Sequence, residues 1–207
     1  MSDIVKDILR VISSSLQIPT IIILIILIIV TIFMIGSIIA EFVSERRLLK
    51  GSITSLIDDL QGKSAEEMRG VIDRAGILRR QKAAANQLID RSGYTADTRE
   101  ALARQLIADE ENRYAKITRV TDIIARVAPM FGLMGTLIPL GPGLIALAQG
   151  DTKTLSDSLL IAFDTTVAGL ISAAISFVIS GIRKGWYEQY MTGLETIMET
   201  ILEEQDK

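Results

Sequence analysis

Residues 127–182 read VAPMFGLMGTLIPLGPGLIALAQGDTKTLSDSLLIAFDTTVAGLISAAISFVISGI. From Val127 to Gly150 there is no Asp, Glu, Lys or Arg, and from Ser158 to Ile182 the only one is Asp164. About 20 mainly apolar residues suffice for a helix to cross the roughly 30 Å hydrocarbon layer, so each run predicts a membrane span. A third charge-free run, Val11–Ala40, contains the stretch IIILIILIIV at 21–30. β-Branched side chains weaken helices in water. In lipid, however, every backbone polar group must be paired within its own segment, and helix is the outcome. The run is about twice the length of a signal-peptide core and leads into Glu41 and Ser44-Glu-Arg-Arg47, so it reads as a retained span. The expected fold class is an all-α membrane protein with three transmembrane helices and a helical cytoplasmic domain.

Composition excludes several chemistries. The 207 residues contain no Cys and no His, which removes disulfides, thiolate and imidazole metal sites, and histidine acid–base catalysis. A net charge of −3 argues against nucleic-acid binding, which needs a basic surface to neutralise phosphates. The sequence has neither a Gly-rich phosphate loop nor a G-x-S-x-G elbow. No enzyme activity, metal or cofactor is expected.

Orientation follows from the distribution of basic residues. The segment from Glu41 to Arg126 carries sixteen Lys and Arg, and the tail after Ile182 three, whereas the N-terminal arm has Lys6 and Arg10 and the second loop only Lys153. Arg46, Arg47, Lys50, Arg119, Arg126, Arg183 and Lys184 crowd the membrane ends of one side, which is therefore cytoplasmic. The expected organisation is an outward N-terminal arm over 1–16, transmembrane helices over 17–43, 127–149 and 158–182, a cytoplasmic helical domain over 44–126, an outward loop over 150–157, and a cytoplasmic amphipathic helix over 183–207. The chain is expected to be a multi-pass protein of the plasma (inner) membrane, surrounded by lipid.

The large cytoplasmic segment balances sixteen basic with fourteen acidic residues. Arg79, Arg80 and Lys82 are either a small basic patch or a solvated helix face. Ser64-Ala-Glu-Glu67 has the capping-box pattern. Gly76 and Gly93 punctuate a helical hairpin, and Thr95 or Asp97 can cap a long helix with an apolar stripe at Leu102, Leu106, Tyr114, Ile117, Val120 and Ile124. In the tail, Tyr187, Tyr190, Leu194, Ile197 and Ile201 form a short heptad seam. It packs either on the chain's own loop helices or on copies of the chain. Trp186 and Tyr187 fit an inner interface belt.

The first span is apolar all round, as for a lipid-facing helix; the other two are not. Gly132 and Gly135 in the second, with Gly169 and Ala173 in the third, allow the close approach by which membrane helices pack. Pro139 and Pro142 either kink or unwind the outer half of the second span, or simply end it. Asp164, Thr165, Thr166 and Ser172 in the third span and Thr136 in the second are candidates for an ion pathway. An intramembrane carboxylate is a default candidate for ion handling, although it can also snorkel or bond a helix neighbour. A membrane threonine often bonds its own i−4 carbonyl instead of lining a route.

At these residues the sequence resembles a family. Gly132-Leu-Met-Gly-Thr136 and Thr165-Thr-Val-Ala-Gly-Leu170 look like the signature segments of the MotA/TolQ/ExbB proton-channel family, as does the order of spans, large helical segment and tail. The resemblance implies a homopentameric ring whose second and third spans line the interior. It implies a dimeric single-span partner, similar to ExbD, TolR or MotB, that threads the ring and carries the proton-binding acid. It also implies that Thr136 and Thr166 are pore-facing hydroxyls. After Thr136 the family often has Trp-containing sequence where this chain has Ile138-Pro-Leu-Gly-Pro142. Asp164 stands beside the motif where members of that family commonly have an apolar or small residue, so the resemblance implies no role for it.

The resulting expectation is a ring subunit of an ion-motive-force-driven stator channel carrying protons, or sodium in a variant of the same machine. Asp164 would tune the route or bind the ion near its outer mouth. The alternative is a non-conducting membrane scaffold that recruits cytoplasmic partners.

Overall fold

The structure, a computed structural model, describes residues 8, 11, 12, 15–46 and 53–206. The expected arm over 1–16 lies mostly outside the described residues, and Lys6, Arg10, Arg47 and Lys50 of the orientation argument lie wholly outside them. In chain order the elements are α1 (Gln17–Glu41), a π-helical turn (Phe42–Arg46), α2 (Ile53–Leu60), α3 (Ala65–Arg74), α4 (Arg79–Ile89), α5 (Ala96–Ala148) and α6 (Thr152–Gln205). There is no strand among the described residues. α1 with its π-turn, α5 and α6 are each long and apolar enough to cross a membrane.

The second and third spans belong to helices far longer than a bilayer. α5 runs unbroken from Ala96 to Ala148 through Pro129, Pro139 and Pro142, so the prolines neither unwind nor end it. Each removes one i−4 hydrogen bond. The connection to α6 is tighter than the expected 150–157 loop. Gly150 takes φ +83, a left-handed conformation that glycine adopts without steric cost, and Asp151 N–H returns to Ala146 O at 2.9 Å. The Asp151 carboxylate then receives the Thr154 N–H (3.0 Å) and hydroxyl (2.5 Å) at the start of α6. These two bonds from Thr154 hold the Asp151 carboxyl below the usual carboxylate range.

Contacts divide the chain into two units. The first comprises Met1–Ser37 and Arg119–Gly181, the second Ile38–Thr118 and Ile182–Lys207.

In the first unit, α5 and α6 form an antiparallel hairpin with a seam of small residues. Gly143 faces Ser158, Gly135 faces Thr165, and Gly132 faces Gly169. Asp122 meets Ser180 farther along, so each step down α5 matches a step up α6. α1 is not uniformly exposed, as its all-apolar composition suggested. Thr20, Leu24, Thr31 and Met34 are buried along one stripe. Both threonines turn their hydroxyls onto their own helix, at Leu16 O and Leu27 O (2.7 Å each). Each thus presents a compact methyl face that packs like a small apolar residue.

The second unit has a conventional core. Leu56, Leu60, Met68, Ile72, Leu88 and Ile89 pack with Leu194, Ile197, Met198 and Ile201, so the tail seam is used on the chain's own helices. Tyr187 is buried in a second cluster with Leu78, Tyr114 and Tyr190 and stacks on Tyr114 at 4.3 Å between ring centroids. Trp186 lies 6.1 Å from Phe42. Gln81, buried, accepts from Leu78 N–H (3.0 Å) and donates to Tyr190 O (2.9 Å). Arg80 approaches Glu110 (3.8 Å), and Lys82 donates to Asp73 O (2.7 Å), so these two members of the basic cluster are engaged within the unit. Glu41 and Arg183 form a largely buried ion pair at 3.1 Å. Such a pair is costly to break from one side only, because the surviving charge stays desolvated.

The predicted capping box is present. The Glu67 carboxylate accepts from the Ser64 N–H (2.9 Å) and hydroxyl (2.8 Å), and these bonds hold its pKa below the ordinary 4.5. A carboxylate depressed on folding stabilises the fold above its unfolded pKa, and the contribution is lost as pH falls through the lowered value. Melting curves of the detergent-solubilised protein between neutral pH and pH ~3 are expected to show Glu67→Gln matching the wild type in acid and falling below it near neutrality.

Candidate functional site

The geometry of the hairpin seam assigns each candidate residue to a side. An α-carbon substituent at Gly132 would stand 3.3 Å from Gly169 Cα, and one at Gly169 only 2.7 Å from Ala128 O. The two backbones therefore touch at this level. At Gly135 a Cβ would fall 2.5 Å from Thr165 Cβ. Gly132, Gly135, Gly169, Thr165 and Ser172 are thus buried between the two helices, and Ala173 is buried at the seam's edge.

Thr136 follows Gly135 and Thr166 follows Thr165 by one position. An antiparallel helix pair has a two-fold axis perpendicular to the plane of the helices, so one step beyond a seam residue leads to the same flank on both. Thr136 and Thr166 therefore share a flank, about 3 Å apart in height at ~1.5 Å rise per residue. Both are partly exposed. Thr136 donates its hydroxyl proton to Leu133 O (2.7 Å), and Thr166 donates to Ala162 O (3.1 Å). A hydroxyl that spends its proton on the backbone keeps its oxygen lone pairs as acceptors, which suits a passing cation.

Asp164 precedes Thr165 and so lies on the other flank. Two residues apart on a helix is about 200° of rotation, which puts Asp164 and Thr166 on nearly opposite sides of α6. Asp164 is exposed, with the exposed apolar residues Leu160, Val167 and Ile171 one or two turns away. The structure brings Thr136 and Thr166 together, buries Thr165 and Ser172 in the seam, and leaves Asp164 apart. Thr165 bonds Ile161 O (2.9 Å) and Ala162 O (3.0 Å). Of the prolines, Pro139 is buried and Pro142 exposed. Having no N–H, Pro139 deprives Gly135 O of its i+4 donor, directly beside Thr136.

A residue the sequence reading placed in the loop also belongs to this hairpin. Asp122 accepts a hydrogen bond from Ser180 across the seam at 2.5 Å. Its spacing from Thr136, close to a whole number of helical turns, was the available signal. Arg119 and Arg126 flank Asp122, and the sequence reading therefore ended the cytoplasmic helical domain at 126 and began the second span at 127.

The model of the MotA/TolQ/ExbB proton channel family matches residues 53–196. The match takes in α2 to α5 and α6 to Thr196, and leaves out α1. No curated protein matches the chain.

Proposed function

The chain belongs to the MotA/TolQ/ExbB proton channel family, and from that premise we propose that it is the ring subunit of an ion-motive-force-driven machine. The observation that carries this reading is the pairing of Thr136 and Thr166 on one flank of a hairpin whose helices approach closely at facing glycines. Five hairpins arranged with that flank inward would present two tiers of hydroxyl oxygens to a central helix pair. Oxygen acceptors at membrane depth lower the cost of a cation where lipid would otherwise surround it.

The chain's described intramembrane acid, Asp164, is on the wrong flank for this route, so the titrating group of the inner channel would come from a partner. That partner would be a dimeric single-span protein of the ExbD, TolR or MotB kind. Protons are the favoured ion, and sodium would use the same oxygens. The N-terminus would face outward and the second unit the cytoplasm, from the basic residues at the membrane ends.

Asp164 is assigned here to the contact between neighbouring copies. A carboxylate facing lipid costs up to roughly 2.5–3.5 kcal/mol on insertion scales, less toward the interface, and a polar group of the next subunit would relieve it. Asp164→Asn is expected to leave ion flux per assembled complex unchanged while altering ring stability, read by native mass spectrometry across detergents. A changed pH dependence of flux at constant assembly would return Asp164 to the route.

The reading as a whole is tested by the native mass of the complex from cells that also express the chain's natural neighbours. Five copies with two copies of a single-span protein is the expected result. A monomer or dimer stable across mild detergents would leave the hydroxyl flank with nothing to enclose and overturn the channel in favour of a scaffold.

A further inference from the structure

Asp122 stands fourteen residues before Thr136 on α5, and Ser180 stands fourteen residues after Thr166 on α6. At about 3.6 residues per turn this is nearly four full turns. Asp122 therefore keeps the flank of Thr136, Ser180 keeps that of Thr166, and both lie about 21 Å farther along the hairpin at ~1.5 Å per residue. The Ser180 hydroxyl donates to Asp122 Oδ1 at 2.5 Å. Thr121 and Ser180 are buried, and Ser176, one turn from Ser180 on the same stripe, is 0% exposed.

The Ser176 Oγ has no hydrogen-bond partner. A buried hydroxyl left unpaired costs free energy comparable to a lost hydrogen bond, and such groups mark a function or a small polar guest. Here the unpaired oxygen stands one turn from a carboxylate–hydroxyl pair, whereas the seam hydroxyls of Ser158 and Thr165 are both bonded to carbonyls of their own helix. A carboxylate supplies the charge and the hydroxyls supply further oxygen ligands. A proton would reside on the carboxylate, and sodium would be shared among the oxygens. The exposed Arg119 and Arg126, about one turn to either side of Asp122, keep the surroundings positive and favour release over trapping.

We propose that Asp122, Ser176 and Ser180 form an inner relay site that binds the transported monovalent cation after it leaves the Thr136–Thr166 level. The proposal rests on the channel reading above and adds the ion's second stop.

The test uses the full chain with its natural single-span partner in liposomes. Proton flux is read from a trapped pH-sensitive dye and sodium flux from radioactive sodium, so the two arms identify the cation. Asp122→Asn keeps an acceptor for Ser180 but removes the charge, and is expected to lower flux about tenfold or more at unchanged native mass. Ser176→Ala removes a hydroxyl that bonds nothing. On purely structural grounds it would leave flux alone and leave or raise Tm, whereas the relay predicts a loss of about threefold in flux without a fall in Tm. If Asp122→Asn fails to assemble, Ser176→Ala decides. Wild-type flux in both variants overturns the relay and leaves the channel standing. A wild-type complex that conducts neither ion brings down both.

Discussion

Replacing Thr166 with valine is expected to lower ion-coupled activity by about a hundredfold, with the complex still assembled. The substitution exchanges a hydroxyl for a methyl of nearly the same size. Thr166 is next to the seam and not in it, so helix contact is preserved, and the loss of the bond to Ala162 O is minor for a residue already in a helix. What disappears is an oxygen acceptor on the flank shared with Thr136. A hydrogen bond to a charged group is worth about 1.5–3 kcal/mol, with 1.4 kcal/mol to each tenfold, and in the proposed ring the loss would be repeated in every copy. Thr166→Ser is expected to restore most of the activity. Thr165→Val supplies the contrast, since that hydroxyl is buried against Gly135 and bonded to its own helix, and only a small change in flux is expected. Full activity of Thr166→Val, or equal losses at 165 and 166, would remove Thr166 from the route. Flux measured per complex, alongside native mass, separates these outcomes.

The second large effect is expected at Gly169. A Cβ there would sit 2.7 Å from Ala128 O, 2.9 Å from Gly132 Cα and 3.1 Å from Gly132 N. All three atoms are backbone, so no side chain can swing aside, and the helices would have to separate along the seam. Overpacking of this kind costs about 1–3 kcal/mol for one methyl and more for a branched side chain. Gly169→Ala is therefore expected to lower the Tm of the solubilised complex measurably, and Gly169→Val to prevent a stable hairpin. Gly181, on the same helix, has nothing within 4 Å of its hypothetical Cβ. Gly181→Ala is expected to be neutral or to stabilise by up to about 1 kcal/mol, from helix propensity. Equal responses at the two positions would mean that the close approach at Gly132 and Gly169 contributes nothing to stability.

Much of this molecule was legible from its residues. Charge-free runs located the three apolar helices because the thickness of hydrocarbon sets a length that composition either meets or does not. Ser64 and Glu67 announced a capping box because its bonds are local, three residues apart. Gly132-Leu-Met-Gly-Thr136 and Thr165-Thr-Val-Ala-Gly-Leu170 announced the family, which the match over residues 53–196 bears out.

What sequence left open were questions of side and partner. The tail seam from Tyr187 to Ile201 suits a foreign helix or the chain's own, and only the packed core placed it on Leu56, Met68 and Leu88. α1 offered no contrast between polar and apolar faces from which to read the buried stripe at Thr20, Leu24, Thr31 and Met34. Asp164 and Thr166 are neighbours in the chain yet face apart, and Asp122 and Ser180 are 58 residues apart yet bonded. Length, hydrophobicity and caps are properties of a segment by itself, so sequence determined them. Which flank a residue occupies depends on the register of two helices, and that register is set by contacts such as Gly132 with Gly169, which exist only once the hairpin has closed.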